Sequence, residues 1–440
     1  MKDTKRRVEI FQFYDKTGIV KHLENMASEG WLLEKMSAFT WTYRKIEPSK
    51  LHFDISYYLT LTDFEPEPTE EQQSFNEFCA HTGWKLAAST VQMQVFYNEA
   101  EHPVPIETDP SLEIENIHRN VKKTVFPSYF MLFFCAFLLG ASFIGNLLAD
   151  PVYVLASATK QFTGAWSIVV LSYTFTEILS YYVWRKKARR MAMHGEFSET
   201  HGHRALGYAV VIFMLASLFF YVISLGDTGF RFYMTAFLLV LLSGIFIANG
   251  VKSLLKKRKV RAGANMALTS IFSFALALVL MSAVNFVTLQ GIQKGIFRDG
   301  YDGLPIKIGE LLEIDAGNYL QSHGKEDSLF LGRDRSSQHP FENAAEGYSM
   351  TYTLTEIKLP FLRDFVIDSL YREQDGYRAE YAYTEINAEE WGAVQAWELY
   401  RNGKPDNHFL ICYEKYVLEI EVNWELTAEQ KQMIFQNICN

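Results

Sequence analysis

The sequence predicts an α-helical integral membrane protein of about five transmembrane helices, with one α+β domain before the helices and another after them. Charge is segregated along the chain: residues 125–289 carry 14 basic and 5 acidic side chains, whereas the two flanks are acidic. Five stretches of this middle region stay apolar for about 20 residues, which as a helix crosses a hydrocarbon layer of about 30 Å. We therefore divide the chain into a domain at 1–120, a bundle at 125–289 and a domain at 290–440.

The five stretches are apolar on all sides, whereas a long helix at the surface of a soluble protein needs one polar face. Burial in lipid explains this pattern better than burial in protein. The predicted spans are Val125–Leu148, Phe162–Trp184, Ala205–Leu225, Phe232–Val251 and Ala267–Leu289. They predict a multi-pass protein of the cell membrane, with the lipid bilayer as its first partner.

Basic residues predict the orientation, because positively charged loops are retained in the cytoplasm. Of the 14 basic residues in the middle region, 12 lie on or beside the connections that follow the second and fourth spans. Ten of them form two clusters that we assign to membrane topology and anionic lipid: Arg185, Lys186, Lys187, Arg189, Arg190, Lys256, Lys257, Arg258, Lys259 and Arg261. This predicts a cytoplasmic N-terminus and an extracytoplasmic C-terminus.

Strand and helix patterns alternate through the N-terminal domain. They predict a strand at Val8–Tyr14, a helix at Lys16–Glu29, a hairpin of strands at 39–43 and 51–59, a helix capped by Thr69 and a last strand at 91–95. The order βαββαβ predicts a ferredoxin-like domain, in which two helices cover one face of a four-stranded antiparallel sheet.

Both predicted helices of this domain end in a glycine followed by a tryptophan, Gly30-Trp31 and Gly83-Trp84. Glycine suits the left-handed cap of a helix. We expect both tryptophans to pack in the core at equivalent positions, and the alternative is a platform for a ligand.

The segments that carry these pairs read FYDKTGIVKHLENMASEGWLLEK, FTWTYRKIEPSKLHFDISYY and GWKL, and membrane spans follow them. In this respect the chain closely resembles the bacterial family that carries domain of unknown function 2812. The resemblance covers the N-terminal domain and implies a membrane-anchored protein without established catalytic residues. Since members are sometimes encoded beside PadR-type transcriptional regulators, it also implies a regulatory role by association.

The C-terminal domain has clearer strands near its end. The sequence predicts a short helical segment at Ile306–Leu320, a helix at Pro360–Tyr371, strands at Trp391–Tyr400, His408–Tyr413 and Tyr416–Val422, and a last helix that begins after Thr427. The pair Asn402-Gly403 suits a tight hairpin turn. Glu419 and Glu421 alternate with apolar residues and predict one sheet face in water, so we expect a small extracytoplasmic α+β domain.

The sequence lacks the phosphate-binding, dinucleotide-binding, zinc-protease and serine-hydrolase motifs, so we predict no enzyme and no cofactor. Glu177 within the second span is the sharpest single residue, because a carboxyl group in lipid is costly. We interpret it as structural, paired with Thr174, Thr176 or a neighbouring helix. The alternative is an ion path, in which Glu177 would share a polar cavity with Asn146, Asn249 or Asn285.

Two further groups of residues have the right chemistry for a site. His194, Glu196, Glu199, His201 and His203 could hold a metal ion, but we expect a solvated, flexible loop and therefore no metal. Cys412 and Cys439 are both predicted outside the cell, and the sequence leaves open whether they form a disulfide.

These features favour a non-enzymatic signalling or regulatory protein, in which the outer domain senses and the inner domain binds a protein partner in the cytoplasm. Acidic flanks exclude the electrostatics of nucleic-acid binding. One alternative is a transporter or its accessory subunit that uses Glu177, and another is a structural protein of the envelope. The ligand, the partner and the oligomeric state stay open.

Overall fold

A computed structural model of the chain describes residues 3–12, 14–37, 40–57, 64–65, 68–90, 93–200, 202–224, 228–294, 304–314, 319–340, 347–375 and 381–439. The chain forms two compact units. The first comprises Met1–Leu138, Ser167–Ala216 and Leu239–Met281, and the second comprises Leu139–Trp166, Ser217–Leu238 and Ser282–Asn440. Each unit thus joins one folded domain to parts of the apolar helices.

The N-terminal domain consists of two halves with the same order of elements. The first half is β1 (Thr4–Val8), α1 (Lys16–Ser28), β2 (Trp31–Met36) and β3 (Thr40–Lys45); the second half is β4 (His52–Ser56), α2 (Glu70–His81), β5 (Lys85–Ser89) and β6 (Gln94–Asn98). Each half forms its own antiparallel sheet of three strands, in the orders β1-β3-β2 and β4-β6-β5.

The halves also repeat two local details. Gly30 and Gly83 end α1 and α2 with φ angles of 85° and 86°, a left-handed conformation that favours glycine. The strand that follows is irregular at the same offset in each half, between Leu33 and Lys35 in β2 and between Leu86 and Ala88 in β5. The domain therefore has an internal βαββ repeat.

This architecture corrects the prediction of one four-stranded sheet. The predicted hairpin does not form: β3 pairs with β1 and β2, whereas β4 pairs with β6. Alternating hydrophobicity identifies a strand but not its partner. The predicted hairpin residues Phe39 and Leu59 lie outside the described residues, as does Val91 of the predicted last strand.

The two helices do not cover one face, as a ferredoxin-like sheet would require. In β6, Val95 joins the core under α1, and the next residue, Phe96, packs with Cys79 of α2 and with Trp84. Neighbouring residues of a strand point to opposite faces. The helices therefore cover opposite sides of the second sheet, and Trp84 packs in the core as predicted.

The first strand also lies earlier than predicted. It spans Thr4–Val8, whose basic sequence TKRRV hides the strand from a search for apolar alternation. Charged residues are common on edge strands, where they prevent pairing with another chain. Residues 9–12 and Tyr14 therefore lie after the end of the strand, and we call them the released segment. Glu9, Gln12 and Tyr14 contact apolar helices later in the chain.

The apolar helices agree with the predicted spans. Helix α3 (Pro110–Asn120) continues through a π-helical turn (Val121–Val125) into α4 (Phe126–Ala149), and then follow α5 (Pro151–Ala156), α6 (Ala158–Ala192), α7 (Arg204–Ser224), α8 (Thr228–Lys257) and α9 (Ala262–Gln293). Five described helices are long and apolar enough to cross a membrane, and at most 22% of the most apolar window of any of them is buried. Soluble domains rarely expose apolar surface on this scale.

The C-terminal domain is built on one sheet of seven antiparallel strands. Its elements are α10 (Ile308–Leu312), β7 (Tyr319–Asp327), β8 (Leu331–Pro340), β9 (Met350–Ile357), α11 (Arg363–Asp375), β10 (Tyr381–Glu385), β11 (Gln395–Arg401), β12 (Lys404–Cys412), β13 (Tyr416–Val422) and α12 (Ala428–Cys439). The strand order is β10-β11-β12-β13-β9-β8-β7.

Each face of this sheet packs against a core, which limits the predicted wet face to its exposed residue Glu421. In β12, Phe409 and Ile411 join a core with α10 and α12, whereas Leu410 and Cys412 join a second core with α11 and α5. Glu419 lies on the face of the second core, where Arg333 is its partner at 3.6 Å. At Glu419 the alternating pattern predicted contact with water, and the structure has an ion pair with Arg333 there.

Two predictions in this domain that rest on neighbouring residues, a hairpin turn and a helix cap, are confirmed. Asn402 and Gly403 have φ angles of 51° and 75°, as a tight hairpin turn requires. The amide N–H of Gln430 donates to Thr427 Oγ1 at 3.2 Å, and the N–H of Thr427 donates to Gln430 Oε1 at 3.1 Å. This capping box confirms the predicted start of α12.

The segments before α11 were less well predicted. Among the described residues of the predicted helical stretch, only Ile308–Leu312 is helical, and β7 begins at Tyr319. Strand β8 reads LGRDRSSQHP, a polar sequence without an apolar periodicity. Cys412 is buried in β12 and Cys439 is exposed on α12, and both are free thiols.

Candidate functional site

Glu177 of α6 is held by the N-terminal domain. Only 2% of its surface is exposed, and its Oε1 accepts a hydrogen bond of 2.9 Å from Nε2 of Gln12. The predicted threonine partners are not used, because the hydroxyls of Thr174 and Thr176 donate to carbonyls of their own helix, as is common for threonine in helices. The partner, Gln12, lies 165 residues before Glu177 in the sequence, in the segment that follows β1.

A cavity of about 200 Å³ opens beside this pair. Its wall contains the side chains of Glu177 and Gln12, the π-helical turn and α4 up to Tyr129, and α6 from Tyr173 to Tyr181. Two oxygens of the hydrogen-bonded pair, Glu177 Oε2 and Gln12 Oε1, are buried without a partner among the described residues. The site therefore presents hydrogen-bond acceptors that nothing in the described chain satisfies.

Aromatic rings from the end of α6 close the same region. The ring of Tyr14 lies 5.4 Å from that of Tyr181, edge on, and 5.7 Å from that of Trp184. Tyr182 is exposed, but Tyr181 and Trp184 pack against the core of the N-terminal domain.

A second contact joins the domain to the start of α7. The buried carboxylate of Glu9 lies 2.7 Å from Arg204 Nη2, 3.0 Å from His22 Nε2 and 3.3 Å from Arg7 Nε. The guanidinium of Arg204 also lies 3.8 Å from the centroid of the Phe11 ring, in the geometry of a cation–π contact. We call Glu9, Arg204, His22 and Arg7 the Glu9 cluster.

The connection before Arg204 is anchored at its end, contrary to the predicted flexible loop. The N–H of Thr17 donates to Thr200 Oγ1 at 2.9 Å, and the N–H of Thr200 donates to Thr17 Oγ1 at 3.0 Å. His203 lies 3.1 Å from Ser180 Oγ, which is hydrogen-bonding distance. His201 lies outside the described residues, and no group of three potential metal ligands occurs among the others.

The two basic clusters lie in the same unit as the N-terminal domain. Arg185, Lys186, Lys187, Arg189 and Arg190 occupy the last turns of α6. Lys256 and Lys257 end α8, and Arg258, Lys259 and Arg261 lie in or beside the turn before α9. The predicted topology, which places these clusters and the N-terminal domain on one side of a membrane, is compatible with this division.

Of the three candidate asparagines on the apolar helices, Asn249 and Asn285 are exposed and Asn146 is partly buried. The amide of Asn249 donates to Ile245 O at 2.9 Å, and that of Asn146 donates to Ser142 O at 2.6 Å, each within its own helix. Asn285 is exposed on α9. Asn249, which belongs to the same compact unit as Glu177, does not line the cavity beside it.

Sequence reasoning missed Asn265 and Lys16. Asn265 on α9 is completely buried, and its amide donates to Phe64 O at 3.2 Å. Lys16 Nζ lies 2.8 Å from Asp54 and 2.6 Å from Glu113, and so connects α1, β4 and α3. Burial lowers the pKa of Lys16, but the two carboxylates outweigh burial and hold it above its ordinary value. Each of these partners is distant in sequence, so no local pattern indicates it.

The Glu9 cluster predicts a loss of stability in acid. Burial lowers the pKa of His22; Glu9 raises it, Arg204 and Arg7 lower it again, and the pKa stays below its ordinary value. An unfolded histidine titrates near 6.5, so the stabilisation is complete above about pH 6.5 and is lost as the pH falls below it. We expect the melting temperature of the solubilised protein to fall between about pH 7 and about pH 5.

The His22→Gln variant should melt with a weaker dependence on pH over that range. The matched control is His52→Gln, because His52 is partly exposed and lies outside the Glu9 cluster. An equal flattening in both variants would contradict the role of His22.

Residues 15–129 match the model of a family described as "Protein of unknown function (DUF2812)". The match confirms the resemblance predicted from the Gly-Trp segments, and it covers the N-terminal domain from α1 to the beginning of α4. No curated protein matches the chain, and no solved structure matches it.

Proposed function

We propose that this chain is a multi-pass protein of the cell membrane that relays a signal between an extracytoplasmic domain and a cytoplasmic one, without catalysing a reaction. The observation that carries the proposal is the attachment of each folded domain through polar contacts: the N-terminal domain is attached to α6 and α7, and the C-terminal domain to the short helix α5 that precedes α6. A domain on a flexible linker would move independently of the helices. A domain that is attached to a helix by hydrogen bonds and ion pairs must move when that helix shifts.

The N-terminal attachment consists of the Gln12–Glu177 hydrogen bond and the Glu9 cluster. Both join the released segment after β1 to α6 and α7. Breaking either contact would leave a charged group buried without its partner, so the attachment is costly to open.

The C-terminal attachment uses α5, which directly precedes α6 in the chain. Arg333 of β8 donates to Asp150 at the start of α5 at 3.2 Å, and Ser328 Oγ donates to Leu155 O at 2.6 Å. Val152 and Ala156 of α5 are buried in the core with α11. One stretch of chain, α5 and α6, therefore bears the contacts of both domains.

The transporter alternative receives less support. It required Glu177 to share a polar cavity with Asn146, Asn249 or Asn285, and Asn249, which belongs to the same compact unit as Glu177, does not line the cavity beside it. The hydrogen bond from Gln12 makes Glu177 an attachment point for the domain. A cytoplasmic protein partner for this domain remains part of the proposed relay.

The relay is tested by loosening one attachment and observing the other. In the full chain in lipid nanodiscs, Arg333→Met should break the contact with Asp150, and amide hydrogen exchange should accelerate by about tenfold or more at residues 9–17. Arg372→Met is the matched control, because the Arg372 side chain is 75% exposed whereas that of Arg333 is 7% exposed.

Faster exchange around α5 and β8, with unchanged exchange at residues 9–17, would contradict a relay. It would leave a membrane protein with two independent domains.

A further inference from the structure

The C-terminal domain exposes three large apolar side chains on adjoining segments. Leu329, in the turn between β7 and β8, is 79% exposed; Phe361, in the 3₁₀ turn Pro360–Leu362, is 77% exposed; and Phe365, in the first turn of α11, is 45% exposed. We call these three residues the apolar tip. Single exposed apolar side chains are ordinary on soluble proteins, but a group of them at one place marks a contact with protein or with a membrane.

Hydrogen bonds join the segments that carry the tip. The N–H of Lys358 donates to Phe330 O at 3.2 Å, and Lys358 Nζ donates to Ser328 O at 2.7 Å. The turn between β7 and β8 is thus bonded to the residue that stands three positions before Phe361. Phe365 follows Phe361 by four residues, and side chains four residues apart lie on the same side of a helix. One end of the domain therefore presents all three side chains.

Helix α5 places this end of the domain close to the end of two apolar helices. Helix α4 has 24 residues and is therefore about 36 Å long, enough to cross a hydrocarbon layer of about 30 Å. Residues 150–157 alone separate α4 from α6, and α5 occupies six of them. Since consecutive spans leave the lipid at the same surface, α5 lies at that surface.

The tip adjoins α5 directly. Ser328, the residue before Leu329, donates through Oγ to Leu155 O at 2.6 Å, and Gln161 Nε2 of α6 donates to the same carbonyl at 2.6 Å. Phe330, the residue after Leu329, packs in the core that contains α5. The exposed side chain of Leu329 therefore stands beside the residues at which α6 begins.

The exposed side of α11 becomes charged beyond the tip. Its further exposed side chains include Asp364, Asp368 and Arg372. Such an order suits shallow insertion, in which apolar side chains reach the boundary of the acyl chains while charged ones stay among headgroups and water. Because the tip adjoins α5, the surface that α4 and α6 cross is the apolar partner nearest to it.

We propose that the apolar tip inserts into the surface of the membrane that α4 and α6 cross, so that lipid covers Leu329, Phe361 and Phe365. The inference rests on the membrane location in the proposed function, but not on the relay. Lipid contact at the tip would be a second attachment of the C-terminal domain, beside its polar contacts with α5.

A nitroxide spin label at Leu329→Cys or Phe361→Cys, in the full chain in nanodiscs, measures the surroundings of the tip. Substituting Cys135→Ser and Cys439→Ser removes the exposed thiols and leaves two that are buried. Collisions with oxygen, which concentrates in lipid, are compared with collisions with a nickel chelate, which stays in water. Because an inserted side chain lies about 5–10 Å below the headgroups, we expect the ratio of oxygen to nickel collisions to be at least about threefold higher at the tip than at the control.

The matched control is Val394→Cys. Val394 is apolar, 55% exposed and part of the same domain, but it does not belong to the tip. Its label should collide freely with the nickel chelate. If Phe361→Cys does not reconstitute, Phe365→Cys takes its place, because it lies one turn later on the same side of the helix.

The possible failures are distinguishable. In protein incorporated into nanodiscs, a ratio at either tip position equal to that at Val394→Cys would overturn the insertion and leave the membrane location standing. Few collisions with either reagent would mean that protein, such as a second copy of the chain, covers the tip, and would also overturn it. Recovery of the chain in the soluble fraction without detergent would overturn the membrane location and the insertion together.

Discussion

Replacing Arg204 by methionine is expected to detach the N-terminal segment from α7, at a cost of about 2–4 kcal/mol. Arg204 is the closest cation to Glu9, and the carboxylate of Glu9 is 1% exposed. Methionine keeps most of the side-chain length but leaves Glu9 with a buried charge that Arg7 compensates only in part. The estimate lies at the lower end for a buried pair because the Arg204 side chain is 34% exposed.

The effect should appear as amide exchange at residues 9–17 that is faster by one to three powers of ten, since local opening follows the same free energy. Arg190→Met is the control, because Arg190 is an exposed residue at the end of α6. Adding Glu9→Gln to the Arg204→Met variant should restore part of the protection, because it removes the stranded charge. Equal exchange in the Arg204→Met and Arg190→Met variants would show that the Glu9 cluster does not hold the segment.

Replacing Trp391 by alanine is expected to destabilise the C-terminal domain by about 3–5 kcal/mol. Trp391 is completely buried, and its ring lies 5.1 Å from that of Phe409 in the centre of β12. Lys431 of α12 covers the ring at 5.5 Å. Alanine would leave a cavity between the sheet and α12, which a helix anchored by its capping box at Thr427 cannot close.

Proteolysis in urea measures this effect, because a protease cleaves the unfolded fraction. The midpoint of cleavage of the C-terminal domain should move to a much lower urea concentration in Trp391→Ala. Phe361→Ala should leave it unchanged, because Phe361 is 77% exposed. A similar midpoint in both variants would mean that Trp391 is not central to the core.

The sequence was sufficient for features that depend on neighbouring residues. Apolar runs predicted the five long helices, and the pairs Asn402-Gly403 and Thr427 with Gln430 predicted a turn and a helix cap. These signals arise from chemistry within one turn of the chain, so they do not depend on the fold.

Strand pairing and the contacts of the site could not be predicted from neighbouring residues. The hairpin predicted around Pro48 failed because an alternating pattern does not specify which strand lies beside it. Gln12 and Glu177 form a hydrogen bond although 165 residues separate them in the sequence, and 195 residues separate Glu9 from Arg204. The repeated Gly-Trp pairs were the one local signal of the internal repeat, since each marks the same helix exit in its half.

The location of the two chain ends tests the account most directly. A membrane-impermeant maleimide, applied to intact cells that produce the Cys135→Ser variant, should label Cys439, which is exposed on α12. With Glu47→Cys added, the new thiol lies in the exposed connection between β3 and β4, and it should react only after the cells are permeabilised. Labelling of both positions from the same side, or recovery of the chain in the soluble fraction without detergent, would contradict five crossings.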